Sequence, residues 1–343
     1  MKSRQALYFT GPRRLEIRQE ARPAPAHDEV LVATQATAIS TGTELLLYRG
    51  QAPADLPADA TLASLSGTLA YPRKYGYTAV GQVMEIGEAV DPVWLGRRVF
   101  AFHPHETHFT APPADLLTLP ADLSPEHALW LPNLETAINL VQDARPIVGE
   151  RVVVFGQGVV GLLVTALLCR FPLDRLVVVD RYLSRRQTAL QLGAHAAVDA
   201  ALPHLSNELR AELHDSADQG ADLVIEVSGD PSALQSALEV CGYAARVVIG
   251  SWYGTKRTDL DLGGLFHRNR ITLTSSQVST IAPGLAGRWD KPRRLGLALD
   301  LLRTLEIEAW VTHRFDFAQA DQAFALLDQR PDEALQVILR YPP

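Results

Sequence analysis

The residues best placed to do chemistry in this chain are three glycines and an aspartate. Gly156, Gly158 and Gly161 follow the apolar run Val152 to Phe155 with the spacing G-x-G-x-x-G, and Asp180 closes a second apolar run, Leu176 to Val179. At a strand-to-helix turn the first glycine permits the tight bend, the second lets backbone approach a pyrophosphate, and the third lets the helix pack closely on the sheet. The free N–H groups and positive end of that helix then face the anion. A carboxylate at Asp180 suits the ribose hydroxyls of NAD(H) and repels the 2′-phosphate of NADP(H), so NAD(H) is preferred. Arg181, Arg185 and Arg186 oppose this if a guanidinium sits near the ribose, and otherwise form a solvated helix face. Gln157, Val159 and Val160 complete the turn. The plain structural alternative is an ordinary turn with a capping aspartate.

A second cluster is His103-Pro104-His105-Glu106-Thr107-His108, directly after a run ending at Phe102. Imidazoles titrate near neutral pH, which suits general acid/base work. His103 and His105 have the period-two spacing of one strand face, which also admits a metal, although Pro104 argues against a preformed site. Catalytic or substrate-contacting histidines rank first, solvated loop histidines second and a metal third.

The elements that must position these groups follow from periodicity. Runs at 151–155, 175–180, 195–198, 221–227, 244–250 and 270–275 read as strands, alternating with helical runs near 158–170, 182–192, 203–217, 231–240 and 258–267. This alternation predicts a doubly wound parallel sheet whose ligand lies beyond the strands' carboxyl ends. Gly156, Asp180, Val227, Ser228, Gly229, Gly250 and Ser251 fall there; for the two serines simple turn chemistry is the alternative. Residues 6 to 100 carry strand and turn signals, a helical stretch runs from Pro125 to Val141, and Pro/Ala-rich loops lie near 21–26 and 52–60. After about residue 278 helices at Leu295 to Thr304 and Asp321 to Asp328 and a strand at Ala334 to Arg340 are expected to rejoin the first domain. The domains are therefore 1–130 with 279–343, β-rich, and 131–278, nucleotide-binding.

Composition narrows the classes further. With 343 residues, 47% of them apolar, the chain can bury two cores. A net charge of −7 without long runs argues against nucleic acid as a partner. The two cysteines, Cys169 and Cys241, allow no disulfide framework and no C-x-x-C site, and read as small core residues. No signal peptide or membrane-length apolar segment is found, so a soluble cytoplasmic protein is expected.

An N-terminal β-rich domain, a mid-chain glycine fingerprint, the following aspartate and a returning tail together resemble the medium-chain dehydrogenase/reductase superfamily. Ile39-Ser40-Thr41-Gly42-Thr43-Glu44 and Phe266-His267-Arg268-Asn269-Arg270 are most similar to its threonine-dehydrogenase-like and bacteriochlorophyllide-dehydrogenase-like branch. The resemblance implies an α/β protein with a GroES-like catalytic domain and a Rossmann nucleotide-binding domain. It further implies a small-molecule substrate in the cleft between the domains, and a homodimer. Zinc members place ligands where this chain has Thr41, Tyr77 (in Gly76-Tyr77-Thr78) and Pro132 or Asn133, groups that bind zinc poorly. The cysteines of the structural zinc lobe have no counterpart between Glu88 and Pro113. The resemblance is thus to the zinc-independent side of the superfamily, with no zinc expected.

Without a Lewis acid, hydrogen-bond donors and a general acid/base must act on the substrate oxygen. By resemblance Thr43 takes the family's proton-relaying hydroxyl, and Tyr77, at a lost ligand position, becomes a hydroxyl donor. His103 takes a substrate-pocket position, and Glu44 a carboxylate that orients Tyr77, holds a shared proton or braces the fold, bracing being preferred. Thr136 matches a contact to the nicotinamide ribose. Asn133, His105, Ser276 and Gln277 are expected near substrate, Ser275 beside them, and Glu135 is read as a solvated helix charge. Trp289 and His313 are expected to be structural. The expected activity is zinc-independent, NAD(H)-preferring hydride transfer at an alcohol or ketone. The alternatives are an NADPH-dependent enone or quinone reductase and a non-catalytic dinucleotide-binding protein.

Overall fold

The structure is a computed structural model that describes residues 3–59, 61–213 and 219–342. Along the chain come β1 (Ser3–Gly11), β2 (Arg14–Ala21), β3 (Val30–Ile39), α1 (Thr43–Tyr48), β4 (Arg73–Lys74), β5 (Ala79–Ile86), β6 (Arg98–Ala101), β7 (His108–Ala111), β8 (Leu116–Thr118), α2 (Pro125–Ala128) and α3 (Leu131–Ala144). Strand-helix alternation follows: β9 (Arg151–Phe155), α4 (Val159–Leu168), β10 (Arg175–Asp180), α5 (Leu183–Leu192), β11 (Ala196–Asp199), α6 (Leu205–Glu212), β12 (Ala221–Glu226), α7 (Ala233–Val240), β13 (Cys241–Ile249), α8 (Leu265–Arg268) and β14 (Thr272–Ser275). The chain closes with α9 (Lys291–Leu302), β15 (Val311–Asp316), α10 (Ala320–Gln329) and β16 (Gln336–Arg340). No helix among the described residues is long and apolar enough to cross a membrane.

The chain divides into one unit of Met1–Pro132 with Leu299–Pro343 and a second of Asn133–Ala298. The divisions fall inside α3 and α9, so the return lies some twenty residues beyond the expected 279: the amphipathic helix expected at Leu295 starts at Lys291 and carries the chain across.

In the second unit the strands pair in the order β11-β10-β9-β12-β13-β14, all parallel. The long apolar runs produce this arrangement, since strands covered by helices on both faces have no polar side to show. Val152, Val153 and Val154 of β9 are fully buried, as are Val177 and Val178 of β10. The helix expected at 258–267 shortens to α8, because Asp259, Asp261 and two glycines form a turn in which the Asp261 carboxylate accepts the N–H groups of Gly263 and Gly264. The end of the run expected near 203–217 lies partly outside the described residues, as does residue 60 of the Pro/Ala-rich loop.

The first unit holds a three-stranded sheet, β2-β1-β4, and a seven-stranded one, β15-β16-β3-β5-β6-β8, with β7 also on β3. Its core mixes both ends of the chain: Leu7, Phe9 and Ile39 pack with Phe317, Phe324, Val337 and Leu339. Asp328 of α10 receives Arg13 and Arg49, each at 2.6 Å, which fixes the returning helix against the N-terminal segment. One helix interrupts the expected strands: Thr43 opens α1, whose Leu45, Leu46 and Leu47 are buried.

Candidate active site and nucleotide turn

The glycine turn is built by close approaches that only glycine permits. A Cβ on Gly156, whose φ is +91°, would lie 2.5 Å from the Ser228 Cα, and one on Gly161 would lie 1.9 Å from the Gly156 carbonyl oxygen. Gly158 caps α4, whose N–H groups open toward the turn. Gln157 is fully buried and turned inward, its amide bonded to the Gly156 carbonyl (3.0 Å) and to the Thr165 hydroxyl (2.9 Å); its side chain therefore shapes the turn from behind. Val159 is buried and Val160 half-buried.

Asp180 sits at the end of β10, where its Oδ2 accepts the Gln157 N–H (2.7 Å) and its Oδ1 the Tyr182 N–H (2.8 Å). A carboxylate has about four acceptor positions, so capacity for a ribose hydroxyl remains. Of the three arginines, Arg181 pairs with Asp230 (3.1 Å) and Arg186 with Asp199 (2.9 Å) and the Asp180 carbonyl. Arg185 lies over the Tyr182 ring, with Nη1 3.8 Å from the place a Cβ of Gly158 would take. Arg181 and Arg186 thus reach carboxylates, and Arg185 lies beside the turn.

The neighbouring strand ends hold a cluster that sequence reasoning missed. Glu226, fully buried at the end of β12, accepts the Ser228 N–H (2.7 Å), the Ser228 hydroxyl and the Tyr253 hydroxyl. Gly229 donates to Ser251 (2.9 Å). Burial pushes the Glu226 carboxyl up, and burial with the nearby carboxylate raises the Tyr253 hydroxyl. Ser228 and Ser251 therefore order these loops; Val227 and Gly250 are half-buried beside them. An acid closing an apolar strand, as Asp180 does on β10, was the available signal.

In α3, Glu135 is buried and not solvated: Arg294, also buried, donates Nη2 (2.9 Å) and Nε (3.1 Å) to it and Nη1 to Asn139. Desolvation pushes the Glu135 carboxyl up. Ser276, expected near substrate, instead donates to Asp143 (2.6 Å) and accepts from Asn139 (2.8 Å), tying the end of β14 to α3. Gln277 is exposed and accepts the Ser279 N–H. Asn133 and Thr136 are half-buried on α3.

In the first unit three hydroxyls converge at the start of α1. The Tyr77 hydroxyl donates to Ser40 Oγ at 2.6 Å and is hydrogen-bonded to Thr43, while Ser40 Oγ accepts the Thr43 N–H (3.3 Å). Burial pushes the Tyr77 hydroxyl up to about 12, so it is a neutral donor at physiological pH. Ser40 was not singled out from sequence, although it lies in the stretch that carried the resemblance. Glu44 braces this corner: Oε1 accepts the Ser40 N–H (3.0 Å) and Oε2 takes His105 Nε2 (2.8 Å).

His105, expected to contact substrate, is fully buried with both ring nitrogens engaged, Nδ1 on Thr37 at 2.7 Å. Tyr341 adds its hydroxyl to Thr37 (3.1 Å), so one direction of donation satisfies the whole chain from Tyr341 to Glu44. Gly76 makes room for it, since a Cβ there would lie 2.8 Å from the imidazole. His103 is stacked on Phe109 at 3.9 Å with Nδ1 3.4 Å from Glu106. Burial lowers its pKa to about 3, which corrects the expectation of an acid/base titrating near neutrality: the imidazole is neutral from pH 5 to 9. His108 lies on β7, half-buried.

The donor set does not fit zinc. Thr41, Tyr77 and Pro132 or Asn133 offer no thiolate or imidazole, and His105 is committed to Glu44 and Thr37. Among the described residues no three His, Cys, Asp or Glu side chains gather as a metal site.

Residues 159–290 match the family model of the zinc-binding dehydrogenases. D-guloside 3-dehydrogenase of Escherichia coli K12 is 24% identical over 350 residues, covering 96% of this chain and 98% of the relative. A short chain alcohol dehydrogenase of Escherichia coli CFT073 complexed with NADH superposes with a TM-score of 0.79 at 20% identity, covering 98% and 99% of the two chains. A structure described as a zinc-binding dehydrogenase of Sinorhizobium meliloti 1021, bound to NADP, gives 0.78 at 19% identity, covering 99% and 100%. Over nearly its whole length the chain is thus similar to dehydrogenases of the medium-chain dehydrogenase/reductase superfamily, and it is an oxidoreductase of the alcohol dehydrogenase type.

Proposed function

We propose that this enzyme transfers hydride between NAD(H) and an alcohol or ketone without zinc. The observation that carries the reading is the hydroxyl cluster of Ser40, Thr43 and Tyr77, in which Tyr77 stands at a position that the resemblance assigns to a zinc ligand in the zinc members. The nicotinamide, when bound, accepts or supplies the hydride. Gly156, Gly158, Gly161 and Asp180 would hold the dinucleotide, with Arg185 near its phosphates, Thr136 at the nicotinamide ribose, and Val227, Gly229, Gly250 and Ser251 along the strand ends. Thr43 Oγ1 meets the substrate oxygen and relays its proton, passing its own hydroxyl proton on to water as it accepts the substrate's and the reverse in reduction, while Tyr77 and Ser40 hold that hydroxyl in position. Glu44 and His105 keep the corner rigid. His103, neutral, serves as a hydrogen-bonding wall of the substrate groove.

NAD(H) is preferred because Asp180 presents a carboxylate where NADP(H) would bring a phosphate. Calorimetric titration tests the preference: NADH should bind at least about tenfold tighter than NADPH, a gap of roughly 1.4 kcal/mol. The reverse order would move enone reduction to first place. For the chemistry, Thr43→Val should lower kcat by about 10²- to 10⁴-fold with NADH affinity unchanged, and Tyr77→Phe should lower it less. Protein dialysed against a zinc chelator should keep its turnover; loss restored by added zinc would overturn the metal-free reading. With its pKa near 12, Tyr77 should add no alkaline limb to kcat below about pH 11.

A further inference from the structure

A groove of about 520 Å³ in the first unit is lined by Ser64, Ser66, Thr68, Arg73, Lys74 and His103, with Tyr8 and Glu106 at its edge. Its charges balance except at one place. Glu106, almost fully buried, receives Arg4 (3.1 Å) and Lys74 (3.0 Å), and the same two cations reach Glu20 at 2.7 and 3.6 Å. Two cations therefore meet two carboxylates, and His103 adds no charge at neutral pH. Arg73 is the remaining cation. Its Nε donates to the Lys74 carbonyl (3.1 Å), its Nη2 to the Ser66 carbonyl (3.3 Å), and the guanidinium lies 5.5 Å from the Tyr75 ring centroid. Among the described residues no carboxylate pairs with it.

A guanidinium has five N–H donors, and neutral carbonyls occupy only two of these. Withdrawing such a group partly from water without a counter-charge is unfavourable. Its fixed fork is the geometry that grips a carboxylate or phosphate through two parallel bonds. The two carbonyls hold Arg73 by one edge, and the surrounding serine and threonine hydroxyls suit hydroxyl groups on the same ligand. His103, proposed above as a wall of the substrate groove, lines the same groove as Arg73.

We propose that Arg73 is an anion receptor in the substrate groove, and that the substrate is a hydroxylated carbon chain bearing an oxyanion, a carboxylate or a phosphate, at the end away from the oxidised carbon. This rests on the oxidoreductase reading of the same site. The test measures NAD⁺ reduction by the full-length enzyme with sorbitol, D-gluconate and sorbitol 6-phosphate, for wild type, Arg73→Gln and Arg73→Lys. Wild type should favour one anionic member over sorbitol by roughly 10- to 100-fold in kcat/KM, and which anion leads tells carboxylate from phosphate. Arg73→Gln should remove that preference through KM while leaving kcat and NADH affinity unchanged, and Arg73→Lys should restore part of it. Equal use of neutral and anionic members, or equal losses on both in Arg73→Gln, would overturn the receptor and leave the oxidoreductase reading standing. If none of the three is oxidised, binding of gluconate and of inorganic phosphate to the NADH complex is measured by calorimetry. Binding of either that Arg73→Gln weakens at least about tenfold supports the receptor, and binding of neither, or binding that the substitution leaves unchanged, overturns it.

Discussion

At the scale of single residues, burial decides what the candidate side chains can do. His103 has its folded pKa lowered from 6.5 to about 3. Above pH 6.5 both folded and unfolded chains carry it neutral; below that the unfolded chain takes up a proton that the native one refuses, so stability falls as the pH drops toward 3. The loss approaches about 1.4 kcal/mol per pH unit for one such group. His103→Gln should therefore lose up to about 2 kcal/mol less than wild type between pH 6.5 and 5, read from urea unfolding at both pH values. Equal losses would mean that the imidazole is solvated. The histidine loop also shows what sequence leaves unreadable. His103, His105 and His108 differ little as letters, but the partners that separate their roles, Glu44, Thr37 and Phe109, arrive through sheet pairing and through α1. His105 and Glu44 are 61 positions apart, beyond any local spacing rule.

At the scale of elements, the glycine turn and the α3–α9 tie sit at opposite ends of legibility. The turn was legible because each glycine has a local reason, and at Gly156 and Gly161 the structure has the close approaches expected. Gly161→Ala would drive a methyl into the Gly156 carbonyl, so α4 must move off β9. NADH affinity should fall more than about tenfold while the first unit keeps its native circular dichroism and Trp signals, and unchanged affinity would detach the turn from cofactor binding. By contrast, Glu135 looked like a solvated helix charge because Arg294 lies 159 residues further on. Glu135→Ala leaves a buried guanidinium without its charge partner and should cost about 3–5 kcal/mol. Removing both charges in Glu135→Leu/Arg294→Met should recover most of this, as chemical denaturation would show. Glu226 escaped notice although Ser228 lies two positions away, because its other hydroxyl donor, Tyr253, comes from the loop after the neighbouring strand, 27 positions on.

At the scale of the whole molecule, the alternation of strand and helix made the doubly wound sheet legible in strand number and direction, and the apolar tail made its return to the first unit legible. The order of strands in the seven-stranded sheet was not, because it places β16 between β15 and β3. Val337, Ile338 and Leu339 are fully buried there, and Tyr341 ends the hydrogen-bonded chain that runs from Glu44 through His105 and Thr37. Ending the chain after Arg330 should leave the first unit unfolded, with rapid trypsin cleavage in residues 1–130. A truncated protein as protease-resistant as the full chain would refute this role of β16.

This interleaving also fixes an order of events at the ribosome. The second unit is continuous in sequence, so all of its strands emerge before the chain reaches Ala298. The first unit must wait for β16, more than thirty residues later. At roughly 5–20 residues per second the wait is a few seconds, during which the N-terminal sheets lack their closing strand. Nascent enzyme would thus acquire its glycine turn before its hydroxyl cluster is braced. A chain stalled near its end would hold a finished second unit and an unfinished first one, with the edge of β3 exposed for a chaperone to cover.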